Sequence, residues 1–157
     1  MAVAVRELTT TCPEETEAVG EALGRALSPG DLIGLVGELG TGKTCLVRGL
    51  ARGLGIDPEG VHSPTFVMIN EYPGPRARLF HVDLYRLEGP QVDELSLRDV
   101  LYGEGVAAVE WFDRLPLEVR ADALVVTLRH AEADRRAIRL EAHGDRPARL
   151  LALALGA

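Results

Sequence analysis

Lysine, asparagine and glutamine occur once each in the 157 residues, at Lys43, Asn70 and Gln91. The other basic residues are all arginine, so a position that keeps lysine stands out. The scarcity of amides suits a thermophilic host and a GC-rich genome equally. There are two cysteines, Cys12 and Cys45, and neither lies in a metal-ligand pair; free thiols are expected. No apolar run reaches membrane-spanning length. The start MAVAVRELTT is too short and too polar for a signal peptide. These absences lead to the expectation of a cytoplasmic, soluble chain with no membrane contact. Cations are also in the minority, and the net charge is -7. That balance argues against autonomous binding to DNA or RNA, whose phosphates demand a basic footprint. A role near nucleic acid would need a basic partner.

What is present fits one compact domain over residues 1–157, with 46% hydrophobic residues to build its core. Repeats, linkers and low-complexity tracts are missing. CPEETEAVGEALGRALSPG reads as a helix: Pro13 suits its first position, Glu14 and Glu15 suit its positive end, and Pro29-Gly30 ends it. DLIGLVG (31–37) is a buried strand. From Lys43, Leu46, Val47, Leu50 and Leu54 recur at helical spacing, and Gly55 stops the helix. A strand is expected from about Thr65 and another over 78–86. A short helix is expected over 89–103, a buried strand over 105–111, and two later strands in ALVVTLRHA and RRAIRLEAHG. The tail RPARLLALAL reads as a helix, with a strand as the alternative. Strands interleaved with helices, then a strand-rich end, predict an α/β fold with a mixed sheet.

The lone lysine lies in GELGTGKT (37–44). Gly37, Gly42, Lys43 and Thr44 fit G-x-x-x-x-G-K-[ST], the Walker A loop, between a buried strand and an amphipathic helix. Glycines let backbone N–H groups turn inward around phosphates, and the helix N-terminus adds partial positive charge. The lysine ammonium is a compact charge that reaches the β- and γ-phosphates; an arginine fork is a poor substitute. Thr44 is expected to coordinate Mg²⁺ through its hydroxyl. The bland alternative is a glycine-rich turn.

A nucleotide-hydrolysing site also needs a carboxylate near the metal. Asp83 follows LFHV and Glu110 follows VAAV, both at the strand edge that faces the nucleotide in such sheets. Either acid can reach the ion or orient the attacking water; as solvated charges past a strand they would do neither. In HSPT (62–65), Ser63 or Thr65 can sense a γ-phosphate, or the segment is a proline turn. His62 and His81 read as hydrogen-bonded structural residues, and His130 and His143 as surface residues. Cys45, at a helix start, is a candidate for a lowered thiol pKa but also for plain packing. Trp111 reads as partly core, and beside Glu110 it is placed to report nucleotide binding.

A GTPase would carry N-K-x-D, which the single lysine rules out. A small-molecule kinase would carry an arginine-rich lid, and no helical lid follows the Walker helix. GELGTGKT, SPTF, HVDLYR and VEW, in this order and at these separations, resemble the TsaE (YjeE) family of small bacterial ATPases, as does the opening TCPEET. The likeness covers nearly all of the chain but its last twenty or so residues. A Walker A loop alone is unspecific; SPT with HxDxYR and EW is specific.

The resemblance implies a P-loop NTPase-like three-layer fold with a mixed, partly antiparallel sheet. It implies an auxiliary role in threonylcarbamoyl modification of the adenosine beside the tRNA anticodon. The partners would be TsaD and TsaB, with tRNA met only through them. ATP and Mg²⁺ are the implied cofactors. Gly40, Thr41, Gly42, Lys43, Thr44 and Cys45 would wrap the phosphates, and Gly37, Glu38 and Leu39 are counted with them as nucleotide-binding. Thr44 and Glu110 would hold the ion, and Asp83 would lie by the nucleotide as an outer metal partner or water-orienting group. Lys43, Asp83 and Glu110 are the expected catalytic set. Thr65 falls in a switch-like segment, while Thr11 and Arg135, with Arg136 competing, match residues near the nucleotide. A nucleotide contact from Asp113, in the variable stretch FDRLP, is not supported. The expected reaction is slow attack of water on the γ-phosphate, weak in isolation. The alternatives are a small-molecule kinase and an adaptor whose bound state, not turnover, drives assembly.

Overall fold

The computed structural model describes residues 3–38, 40–62, 69–84, 103–115 and 122–156. In chain order the elements are β1 (Ala4–Thr10), α1 (Pro13–Ala26), β2 (Leu32–Val36), α2 (Lys43–Gly53), β3 (Ile69–Tyr72), β4 (Leu79–Asp83), β5 (Val106–Glu110), β6 (Leu124–His130), β7 (Arg136–Ala142) and α3 (Asp145–Leu155). The strands form one sheet in the order β1-β7-β6-β2-β5-β4-β3. Strands β4, β5, β2 and β6 run parallel at its centre, while β3, β7 and β1 join antiparallel. The α/β fold with a mixed, partly antiparallel sheet is therefore as the sequence predicts. The tail is a helix. Residues 89–102 of the expected middle helix, and the expected strand start at Thr65, lie outside the described residues.

Strand β1 is the element that sequence reading missed. It pairs along its whole length with β7, from Ala4 opposite Ala142 to Thr10 opposite Arg136. Its alternation is masked because Val5 is exposed, whereas Arg6 turns inward and donates to the carbonyls of Leu155 and Gly156 at the end of α3 (2.9 and 3.0 Å). An inward arginine and an outward valine hide the period-two signal that marks a half-buried strand.

One face of the sheet packs against the helices, with Leu23, Leu27, Leu46, Leu50 and Leu54 meeting Ile33, Leu35, Val126 and Leu128. Each such fully buried side chain contributes roughly 1.5–3 kcal/mol. Helices α1 and α2 touch backbone to backbone. A Cβ on Gly20 would collide with the Leu46 carbonyl, and one on Gly49 with the Glu17 carbonyl; Gly24 and Gly53 repeat the fit one turn on. The guanidinium of Arg76 closes the far end, donating to the carbonyls of Gly24, Arg25, Leu27 and Gly53 and so satisfying the last turns of both helices. This close fit sets the start of α1 beside the start of α2.

The other face holds a second cluster around Val82, Val109 and Phe112. Phe112 is completely buried against the backbone of Gly34, where any Cβ would overlap its ring. That contact anchors the turn after β5, and with it Trp111.

Candidate functional site

Residues 37–44 join β2 to α2, where the chain leaves a central parallel strand and enters a helix. Gly40 and Gly42 hold φ of 78° and 105°, a left-handed conformation that side-chain-bearing residues rarely adopt. Gly42 is the N-cap of α2, with no side-chain cap and no acid in the first turn. The first N–H groups of α2 therefore point into the loop without a capping side chain, which makes the helix start a receptor for negative charge. Thr41 Oγ1 donates to the Glu38 carbonyl at 2.8 Å, tightening the turn.

Lys43 is 4% exposed. Its Nζ donates to the Gly37 carbonyl and lies 3.8 Å from the centroid of the Trp111 ring. Burial pushes the ammonium below its ordinary value, and Glu110, Asp83, Asp113 and Glu38 pull it back. The lysine is thus a buried cation held on a carbonyl and an aromatic face, surrounded by acids. Trp111 itself sits at φ 60°, a strained backbone for a tryptophan, held there between Glu110 and the buried Phe112.

Asp83 and Glu110 are register partners at the ends of β4 and β5. Strand alternation turns both toward the helix face, since Leu79, Val106 and Ala108 in the same phase belong to the helix-side core. Glu110 is 3% exposed and shares a short hydrogen bond with Nε2 of the fully buried His81. Among the described residues no three His, Cys, Asp or Glu side chains gather closely enough to hold a metal by themselves. Two carboxylates at strand ends with the hydroxyl of Thr44 are hard oxygen donors. They suit a magnesium ion that takes its remaining ligands from phosphates and water.

The loop stands between two clefts. The first, of about 440 Å³, is lined by Thr11, Gly40, Gly42, Cys45, Asp134 and Arg136, so it joins the ends of β1 and β7 to the loop. Arg136, which starts β7, reaches the Gly40 carbonyl at 3.5 Å; Arg135 is not part of the lining. Thr11 is fixed by Glu15, which accepts from its N–H and its hydroxyl at 2.6 and 2.7 Å and is held below its ordinary pKa by those bonds. The Cys45 thiol meets the Pro13 carbonyl at 3.1 Å, and burial pushes its pKa up, so it packs rather than reacts. The second cleft, of about 490 Å³, opens on the other flank between Glu38, Trp111, Asp113 and Arg129. Of the expected site residues, Leu39 and Thr65 lie outside the described residues. The participation of β1, and of Asp134 and Arg136, was not read from local sequence beyond the loose matches at Thr11 and at Arg135, with Arg136 its competitor; the structure puts Arg136, not Arg135, in the cleft lining.

The family model for threonylcarbamoyl adenosine biosynthesis protein TsaE matches residues 10–138. The chain belongs to the TsaE family. It is similar to the tRNA threonylcarbamoyladenosine biosynthesis protein TsaE of Bacillus subtilis, 38% identical over 87% of this chain and 85% of that protein. The protein of the same name from a Nostoc species is 48% identical over 66% of this chain and 65% of its own length. Among solved structures, that of Bacillus subtilis YdiB superimposes with a TM-score of 0.76 at 34% identity, over 96% of this chain and 93% of that one. With it, the chain shares the P-loop NTPase-like fold.

Proposed function

We propose that this TsaE-family chain is a magnesium-dependent ATPase that serves threonylcarbamoyl modification of the tRNA adenosine next to the anticodon, in company with TsaD and TsaB. The observation that carries it is the convergence of the buried Lys43 and the uncapped start of α2 on the side where Asp83 and Glu110 end adjacent strands. A triphosphate would lie on the N–H groups of 37–44, with its base toward the cleft walled by Thr11 and Arg136. Lys43 would leave the Gly37 carbonyl for the β- and γ-phosphates, a stronger, charge-assisted partner.

Thr44 and Glu110 would hold magnesium, which when bound neutralises developing phosphate charge. Asp83 would orient the attacking water and accept its proton. Catalysis then rests on positioning and charge, and the lone chain would turn over slowly. At -7 overall, the chain suits an auxiliary that meets tRNA only through its partners. The test is a reconstituted modification assay with TsaD, TsaB, tRNA and an activated threonylcarbamoyl donor, scored over several turnovers. The reading expects sustained modification only with this chain and ATP; equal modification without the chain contradicts it.

The second cleft beside the loop favours one other reading, a small-molecule kinase whose acceptor sits between Glu38 and Trp111. Phosphate transfer to an added nucleoside or sugar, in place of water, would support that alternative.

A further inference from the structure

The imidazole of His81 is completely buried on β4, two residues before Asp83. In register it lies beside Ala108, and Glu110 follows two residues later on the same face of β5. Its Nε2 is hydrogen-bonded to Oε2 of Glu110, while its Nδ1 has no hydrogen-bond partner among the described residues. An ionised carboxylate can only accept, so toward such a carboxylate Nε2 is the donating nitrogen.

A position that merely filled space here would be apolar. Its same-phase neighbours Leu79, Val106 and Ala108 are. An imidazole with one unsatisfied nitrogen is a worse filler than leucine or phenylalanine, because a buried polar atom without a partner costs roughly 1–3 kcal/mol. What the ring supplies in return is a donor to a carboxylate that is itself 3% exposed. The donor holds one oxygen of Glu110 against β4, which restricts the side chain's rotamers and fixes its orientation. Carboxylates that bind metals are commonly held this way by a second layer of hydrogen bonds.

We propose that His81 is a positioning residue for the magnesium carboxylate: it holds Glu110 so that the ion can be shared between protein and nucleotide. This rests on the nucleotide reading of the site. His81 touches neither nucleotide nor ion; it acts through Glu110 alone.

The test measures ADP affinity by calorimetry, with magnesium and with EDTA, for the parent and for His81→Phe, His81→Asn and His81→Gln. Melting curves confirm folding. In EDTA all four should bind ADP alike, because the loop at 37–44 is untouched. The tightening that magnesium adds should fall by about 10–100-fold in His81→Phe, the range for losing such an outer partner. His81→Asn, whose shorter amide falls short of Glu110, should lose it as well and provides the answer if the phenylalanine variant does not fold. His81→Gln places an amide N–H near the Nε2 position and should stay within about threefold of the parent. Parental magnesium dependence in folded His81→Phe or His81→Asn overturns the assignment. So does an equal loss in EDTA, which would mark a merely structural role. If the parent itself shows no ADP binding, the nucleotide reading has failed instead.

Discussion

Lys43 Nζ lies 3.8 Å from the centroid of the Trp111 ring while donating to the Gly37 carbonyl. The sole tryptophan thus covers the sole lysine. A phosphate that draws the ammonium away removes a cation from the indole face, so ATP should change Trp111 emission. Lys43→Ala should abolish that response and weaken ATP binding at least tenfold, about 1.4 kcal/mol or more. Lys43→Arg should not restore it, since a planar fork cannot occupy the same narrow, carbonyl-lined position. Stopped-flow fluorescence checks this; a Lys43→Ala variant with the parent's response and affinity would refute it.

The contact of α1 with α2 leaves no room for a methyl group. Gly49→Ala should cost about 1–3 kcal/mol, the range for overpacking a close-fitted interior, because its Cβ meets the Glu17 backbone. Gly60→Ala, where a Cβ would meet nothing within 4 Å, is the control and should be near neutral. Chemical denaturation measures both. Because this contact sets Thr11 beside the loop, folded Gly49→Ala should also bind ATP more weakly than Gly60→Ala.

Glu15 gives a pH dependence of known sign. Its folded pKa lies below the ordinary 4.5, through the hydroxyl of Thr11 first and then its N–H. A depressed carboxylate adds stability above its unfolded value, and that contribution disappears as pH falls through the folded value. The stability advantage of the parent over Glu15→Gln should therefore be constant near neutrality and shrink below 4.5. Melting temperatures for both proteins across that interval provide the check; an advantage that grows on acidification would contradict the sign.

The loop and its flanking elements were legible because each signal is local. Gly42, Lys43 and Thr44 are adjacent, and β2 and α2 announce themselves by an apolar run and a helical stripe. Asp83 and Glu110 were legible as strand-end acids, but their pairing comes from the β4–β5 register, which no spacing reveals. The bond between His81 and Glu110 has the same origin. The first cleft was least legible, because its walls belong to β1 and β7, brought together across almost the whole chain. The choice between Arg135 and Arg136 turned on where β7 starts, and adjacent arginines carry no alternation to fix that. Strand β1 stayed hidden because Arg6, facing inward, answers to the carbonyls ending α3 rather than to a core.

The central claim is that a triphosphate binds the loop at 37–44 together with a divalent cation shared with Glu110. Calorimetric titration of ATP into the chain tests it most directly, with and without magnesium, alongside Lys43→Ala and Glu110→Gln. The parent should give saturable heat that magnesium strengthens. Lys43→Ala should bind at least tenfold more weakly, about 1.4 kcal/mol, and Glu110→Gln should keep binding with a diminished magnesium effect. No heat of association for the parent at millimolar ATP and magnesium would contradict it outright.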